Sequence, residues 1–164
     1  MIKTLLTFLF LLTITLTSRA QTLTEVISLN GRSISDINSF LSKNGWDFYS
    51  NKNQTDSTYG YAGWSFKQPA DTVDLAEYWI FATYKDNKAI SIMSKTSDRD
   101  FYNHIVAYLK KINAENKEET LFENAIRTVH LGKKYVYILS VSSRKGVMQQ
   151  EFQIEIFDKR YSKF

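Results

Sequence analysis

The sequence predicts an α+β fold in which helices cover one face of an antiparallel sheet. Runs rich in aromatic and β-branched residues are joined by short turns, which is typical of antiparallel meanders. Stretches with apolar residues at helical spacing precede each set of strands, and they can bury their apolar stripes only against a sheet face. We expect two tandem helix-then-antiparallel-meander units, at about 22–96 and 97–158, within one domain at 21–164.

The first unit is predicted to open with two helices. Thr22 and Glu25 have the spacing of a capping box, and the turn Asn30-Gly31 separates the two apolar patterns. Ser33 or Ser35 can cap the second helix, and Asn44-Gly45 ends it because glycine adopts a left-handed conformation without strain. Strands are predicted at 46–50, 59–67, 77–85 and 89–95, with a tight turn at 86–88.

The second unit is predicted to contain one long helix and three strands. Ser97-Asp98-Arg99-Asp100 resembles a capping box, and the apolar residues that follow recur at helical spacing. These residues are Phe101, Ile105, Tyr108, Leu109 and Ile112. The charged stretch 115–119 is expected to be a solvated loop or a frayed extension, and strands are expected at 125–131, 135–142 and 150–158.

The N-terminal 20 residues have the pattern of a secretory signal peptide. Lys3 precedes the apolar run Thr4 to Leu16, and Ser18 and Ala20 place small residues at a cleavage site. The mature chain would then begin at Gln21 and be periplasmic or secreted, with no stable membrane anchor after cleavage. The alternative is a buried N-terminal helix.

Composition excludes several kinds of site. The absence of Cys excludes disulfides, thiolate catalysis and a diacylglyceryl anchor. Removing Lys3 and Arg19 with the signal leaves 19 basic and 17 acidic residues, so the net charge falls from +4 to +2. Without a basic stripe, nucleic acid is not an expected partner. No cofactor or metal motif is present.

The element order resembles the β-lactamase inhibitor protein and the small outer-membrane assembly lipoproteins, over most of residues 22–158. That resemblance implies a helix pair against an antiparallel sheet, although the missing Cys departs from the lipoproteins. The start at Gln21, the segment from Lys43 to Phe48 and the Tyr-rich hairpins resemble small secreted proteins of Bacteroidetes-type bacteria. Those families bring no assigned catalytic residues.

An enzymatic alternative depends on histidine. Only His104 and His130 could act as bases at neutral pH. His104 is expected on the surface of the long helix, and His130 on a strand. A small exported hydrolase or lyase would pair His130 with a nearby carboxylate such as Glu123 or Glu155.

The favoured hypothesis is a non-enzymatic binding protein that uses an aromatic sheet face. Strand alternation is expected to place Trp79 and Phe81 opposite the helices, with Tyr59 and Tyr61 nearby. Such rings offer flat apolar area with a polar tip, which suits a protein, peptide or glycan partner. The alternative is that these rings pack both faces of a tyrosine-rich core.

Overall fold

A computed structural model describes residues 22–67, 76–122, 124–143 and 149–161. The predicted signal peptide, the connection that contains Pro69 and the turn that contains Gly146 lie outside these residues. Within them the structure has three α-helices, eight strands and one short 3-10 helix, so the α+β prediction is confirmed for a chain that is mostly sheet.

In chain order, the first half of the described chain comprises α1 (Leu23–Ser28), α2 (Ile34–Lys43), β1 (Asp47–Lys52), β2 (Gly60–Phe66), β3 (Tyr78–Lys85) and β4 (Lys88–Thr96). The second half comprises α3 (Arg99–Lys111), β5 (Glu115–Phe122), β6 (Ala125–Leu131), β7 (Tyr135–Ser143), β8 (Gln150–Asp158) and the 3-10 helix (Lys159–Tyr161). The strands form one sheet in the order β1-β2-β3-β4-β8-β7-β6-β5, and every pairing is antiparallel.

Local signals set the helix ends much as the sequence indicates. Thr22 and Glu25 form the capping box of α1, and Ser33 caps α2 by accepting a hydrogen bond from the Asp36 amide. The cap of α3 is Asp98 rather than Ser97. A carboxylate suits that position because it accepts from two free amide groups and lies at the positive end of the helix.

The main core lies between the helices and one face of the sheet. Leu41 of α2 and Phe101, Ile105 and Leu109 of α3 belong to the same buried cluster as Ile80 of β3. Helices α2 and α3 therefore share one core. The other face, against which no described helix packs, is called the helix-free face below.

One strand was not predicted. The charged stretch expected to be a loop or frayed extension is β5, an edge strand paired with β6. Its charged side chains are exposed, which is a common protection of sheet edges against pairing with another chain. The first strand also begins later than expected, because Trp46 precedes β1 and is buried in the core.

Candidate binding site

The helix-free face carries a contiguous row of aromatic rings. The edge of Tyr49 packs on Trp79 with 4.8 Å between ring centroids and 81° between planes. Trp79 stacks on Phe81 at 5.7 Å and 5°, and Phe81 stacks on Tyr61 at 5.4 Å and 20°. These four residues, here called the aromatic ladder, bring three strands together through offset and edge contacts that aromatic pairs prefer.

Two local features make room for the ladder. Gly63 lies directly opposite Phe81 in the β2–β3 register, and a Cβ at Gly63 would lie 2.9 Å from the Phe81 ring. The ring therefore covers the glycine, where any side chain would obstruct it. In β1 the register shifts between Phe48 and Ser50, so that an irregularity accommodates Tyr49. Such bulges redirect a side chain out of simple alternation.

The ladder is less exposed than the sequence suggests. Trp79 is only 9% exposed, so it is packed by its neighbours, as the alternative interpretation expects, and is not an accessible aromatic anchor. Its two ring neighbours cover much of it. Tyr49, at 44% exposure, presents the accessible aromatic surface instead.

Tyr59, the fourth residue predicted for the site, does not join the ladder. It is 55% exposed, precedes β2, and lies against the ammonium group of Lys85 at 6.0 Å from the ring centroid. The structure thus brings Tyr61, Trp79 and Phe81 together and leaves Tyr59 apart.

One end of the ladder opens into a cleft of about 450 Å³, here called the ladder cleft. Its aromatic wall is formed by Tyr49, Trp79 and Phe81. The remaining lining residues come mostly from the other half of the sheet: Ala76, Lys95, Thr96, Asn124, Ser142, Ser143 and Glu151. This volume lies within the roughly 300–1,000 Å³ of small-molecule sites.

The polar side of the ladder cleft contains an internally balanced charge pair. Lys95 Nζ lies 2.8 Å from Glu151 Oε2, and both side chains are partly buried. Asn124, Ser142 and Ser143 add amide and hydroxyl groups, which can both donate and accept hydrogen bonds. Burial, with a smaller contribution from nearby Tyr49, raises the pKa of Tyr61 to about 12. Tyr61, which belongs to the ladder but does not line the cleft, is therefore neutral at physiological pH.

Among the described residues, His130 does not face Glu155, one of the two carboxylates named for the enzymatic alternative. His104 is exposed on α3. His130 pairs with Tyr137 on the helix side of the sheet, whereas Glu155 pairs with Ile138 and lies on the helix-free face. Glu123 lies outside the described residues. The Nε2 atom of His130 lies 3.1 Å from Thr128 Oγ1, and burial lowers the pKa of His130.

Of the residues that line the cleft, the sequence analysis predicted only Trp79 and Phe81, and Tyr49, Lys95 and Glu151 are among those it missed. Tyr49 was overlooked because the β1 irregularity breaks strict alternation. Lys95 and Glu151 come together only because β4 pairs with β8. The position of Tyr49 beside Phe48 in the first predicted strand was the sequence signal that could have identified it. The Lys95–Glu151 ion pair could be found only once the order of strands in the sheet was known.

No group of three or more His, Asp or Glu residues among the described ranges is arranged to hold a metal ion. In the same part of the chain, no helix has the length and apolar character needed to span a membrane. Comparison with protein-family models, curated proteins and solved structures finds no significant match. The resemblances drawn from element order therefore stay predictions.

Proposed function

We propose that the chain is an exported, non-enzymatic binding protein that holds a neutral glycan in the ladder cleft. The observation that carries this proposal is an aromatic wall of Tyr49, Trp79 and Phe81 facing hydroxyl and amide groups across the cleft. A sugar ring has apolar C–H faces that can lie on aromatic rings, and hydroxyls at its edge that need hydrogen-bond partners.

Charge favours a neutral ligand over a charged one. Lys95 and Glu151 neutralise each other at 2.8 Å, so neither supplies an unpaired charge to attract an ion. The pair instead offers a fixed donor and a fixed acceptor, which can contact adjacent hydroxyls of one ligand.

The exposed apolar area favours a small ligand over a protein partner. Protein interfaces of standard size bury roughly 1,600 Å² and centre on well-packed aromatic anchors. In the ladder the largest ring, Trp79, is already buried by its neighbours, which leaves Tyr49 as the principal exposed ring. A peptide or protein partner is therefore the less favoured occupant.

Export and tandem organisation belong to the same proposal. The Lys3 to Ala20 pattern supports delivery to the periplasm or the medium, where envelope glycans are available. The order of helices followed by four strands, then helix followed by four strands, supports two related units at about 22–96 and 97–158. The ladder cleft would then lie where the two units join.

Tryptophan fluorescence offers a direct test. Of the three Trp residues, Trp79 lines the cleft, while Trp46 and Trp64 are buried in the main core. Titration of the chain from Gln21 with neutral cello-, chito- and malto-oligosaccharides should change the emission with at least one series. Calorimetry of the wild type should report the same affinity as the fluorescence titration. The Trp79→Phe variant should show no emission change, but calorimetry should still detect its binding.

Matched variants locate the site. Tyr49→Ala should weaken oligosaccharide binding by about tenfold or more, because it removes an aromatic surface on which the sugar ring can stack. Stacking contacts with aromatic side chains contribute roughly 1–3 kcal/mol. Tyr59→Ala removes a more exposed tyrosine outside the cleft, and this variant should bind as wild type does. If none of the oligosaccharides binds at millimolar concentration, the glycan proposal is wrong. If Tyr49→Ala and Tyr59→Ala weaken oligosaccharide binding equally, the ladder cleft is not the binding site.

A further inference from the structure

A second concavity lies on the opposite side of the sheet, between α3 and strands β6 and β7. Its volume is about 350 Å³, and we call it the α3 pocket. The lining residues are Tyr102, Val106, Leu109, Lys110, Ala114, Asn116, Thr128, His130 and Leu139. Because it lies on the helix side of the sheet, it is separate from the ladder cleft and from the function proposed there.

The pocket exists because the described helices cover the two halves of the sheet unequally. Two helices precede β1–β4, whereas α3 alone precedes β5–β8 in the described chain. On the helix side of β5 and β6, Leu121 is 79% exposed and its cross-strand partner Ile126 is 47% exposed. The sheet thus continues beyond α3, and the α3 pocket is the gap at that boundary.

Most of the pocket wall is apolar. Val106 and Leu109 of α3 face Leu139 of β7, and Tyr102 and Ala114 add further apolar surface. A pocket of this size and composition suits a single chain or ring, because it lies at the low end of the roughly 300–1,000 Å³ of ligand sites.

Lys110 is the one charged residue among the described residues that line the pocket. Lys110 is exposed at its edge, and Asn116, Thr128 and His130 are neutral donors or acceptors at this site. No carboxylate is found among the described residues that line it. Lys110 also has no ion-pair partner within the described chain. An apolar ligand that ends in an anion would complement both features.

We propose that the α3 pocket binds a single-chain amphipathic carboxylate, a medium-chain fatty acid. The acyl chain lies against Val106, Leu109 and Leu139, and the carboxylate pairs with Lys110. A two-chain lipid exceeds the available volume. The ligand is therefore the free acid rather than an intact membrane lipid.

Decanoate is the probe for this site, and decanol is its uncharged counterpart. Calorimetric titration of the chain from Gln21 should show decanoate binding, and decanoate should displace the fluorescent sulfonate 1-anilinonaphthalene-8-sulfonate. Val106→Trp fills the pocket and should reduce decanoate affinity by about tenfold or more. If this variant is unfolded by circular dichroism, Ala114→Leu tests the same filling from the end of α3.

Charge and location are tested by two further variants. Lys110→Gln should weaken decanoate binding about threefold to tenfold and leave decanol binding unchanged, because only the acid uses the ammonium group. Leu121→Ser, which changes an exposed side chain outside the pocket, should bind decanoate as wild type does. The proposal fails if decanoate does not bind at millimolar concentration, if the filled variants bind normally, or if Leu121→Ser alone abolishes binding. Equal effects of Lys110→Gln on decanoate and decanol would refute the anionic headgroup.

Discussion

The hydrogen bond between Tyr78 of β3 and Asp98, the N-cap of α3, joins the sheet to this helix. Removing this hydrogen bond tests whether Asp98 has both roles. The Tyr78 hydroxyl donates to Asp98 Oδ2 at 2.5 Å, while Asp98 Oδ1 accepts from the amides of Asp100 and Phe101. One carboxylate therefore caps α3 and anchors it to β3. Tyr78→Phe removes only the donor, because the ring keeps its edge contacts with Phe66 and Phe101.

The size of the effect follows from the chemistry of the acceptor. Hydrogen bonds to charged groups contribute about 1.5–3 kcal/mol. Asp98 is only partly buried, and solvent screening reduces that figure. We expect Tyr78→Phe to lower the free energy of unfolding by about 1–2 kcal/mol at pH 7. In a double-mutant cycle, the losses of unfolding free energy caused by Tyr78→Phe and Asp98→Asn should not be additive, because both substitutions alter the same hydrogen bond.

The same bond predicts a pH dependence. The Tyr78 hydroxyl is the main cause that lowers the pKa of Asp98, helped by the amides of Phe101 and Asp100 and by His104, while desolvation opposes the shift. A carboxyl group with a lowered pKa in the folded state stabilises the fold above its unfolded pKa, about 3.9, and loses that contribution as the pH falls. The stability gap between wild type and Tyr78→Phe should therefore narrow below about pH 4.

Urea denaturation, followed by circular dichroism from pH 7 to pH 3, measures both effects. Tyr84→Phe is the matched control, since the Tyr84 hydroxyl donates to the neutral oxygens Asn51 Oδ1 and the Lys52 carbonyl. The control should cost about 0.5–1.5 kcal/mol at every pH in this range. A Tyr78→Phe variant as stable as wild type at pH 7, or one whose loss is the same at pH 3, would refute the assigned role of Asp98.

Three other outcomes are expected. Gly63→Ala should displace the Phe81 ring, measured as a weaker near-ultraviolet circular dichroism signal and a loss of about 1–3 kcal/mol on urea denaturation; an unchanged spectrum would contradict the ladder geometry. Ile105→Asp should prevent stable folding, because it places an unpaired charge at a position 1% exposed, and a normal urea midpoint would show that α3 packs elsewhere. Intact-mass measurement of the native protein should give a chain that begins at Gln21, and retention of Met1 would overturn the export proposal.

The elements that the sequence predicted well are those whose apolar residues face a single core. The helix around Ile105 and the strand around Ile154 have strong periodicity because one side of each is buried and the other is wet. The edge strand β5 has no such contrast, since Glu115, Glu118 and Glu119 are all exposed. Its strand conformation comes from pairing with β6, which local sequence does not reveal.

The candidate site was predicted in part for the same reason. Alternation along one strand correctly placed Trp79 and Phe81 together on the helix-free face. It could not predict that Tyr49 would cover Trp79. Tyr49 lies on β1, two strands from Trp79 in the sheet, and the β1–β2 register is irregular at Tyr49. Exposure of a ring depends on its neighbours in space, whereas alternation reports only the side of the sheet.

The sheet order also constrains when the fold can be completed during synthesis. β8, the last of the eight described strands along the chain, lies in the middle of the sheet between β4 and β7. Its residues pair with β4 partners that are 56 to 66 residues earlier, so this closure is slow compared with formation of a hairpin. Until β8 arrives, β4 and β7 both have open edges able to pair with other chains. A nascent chain with this strand order can complete the centre of its sheet only after β8 has been synthesised.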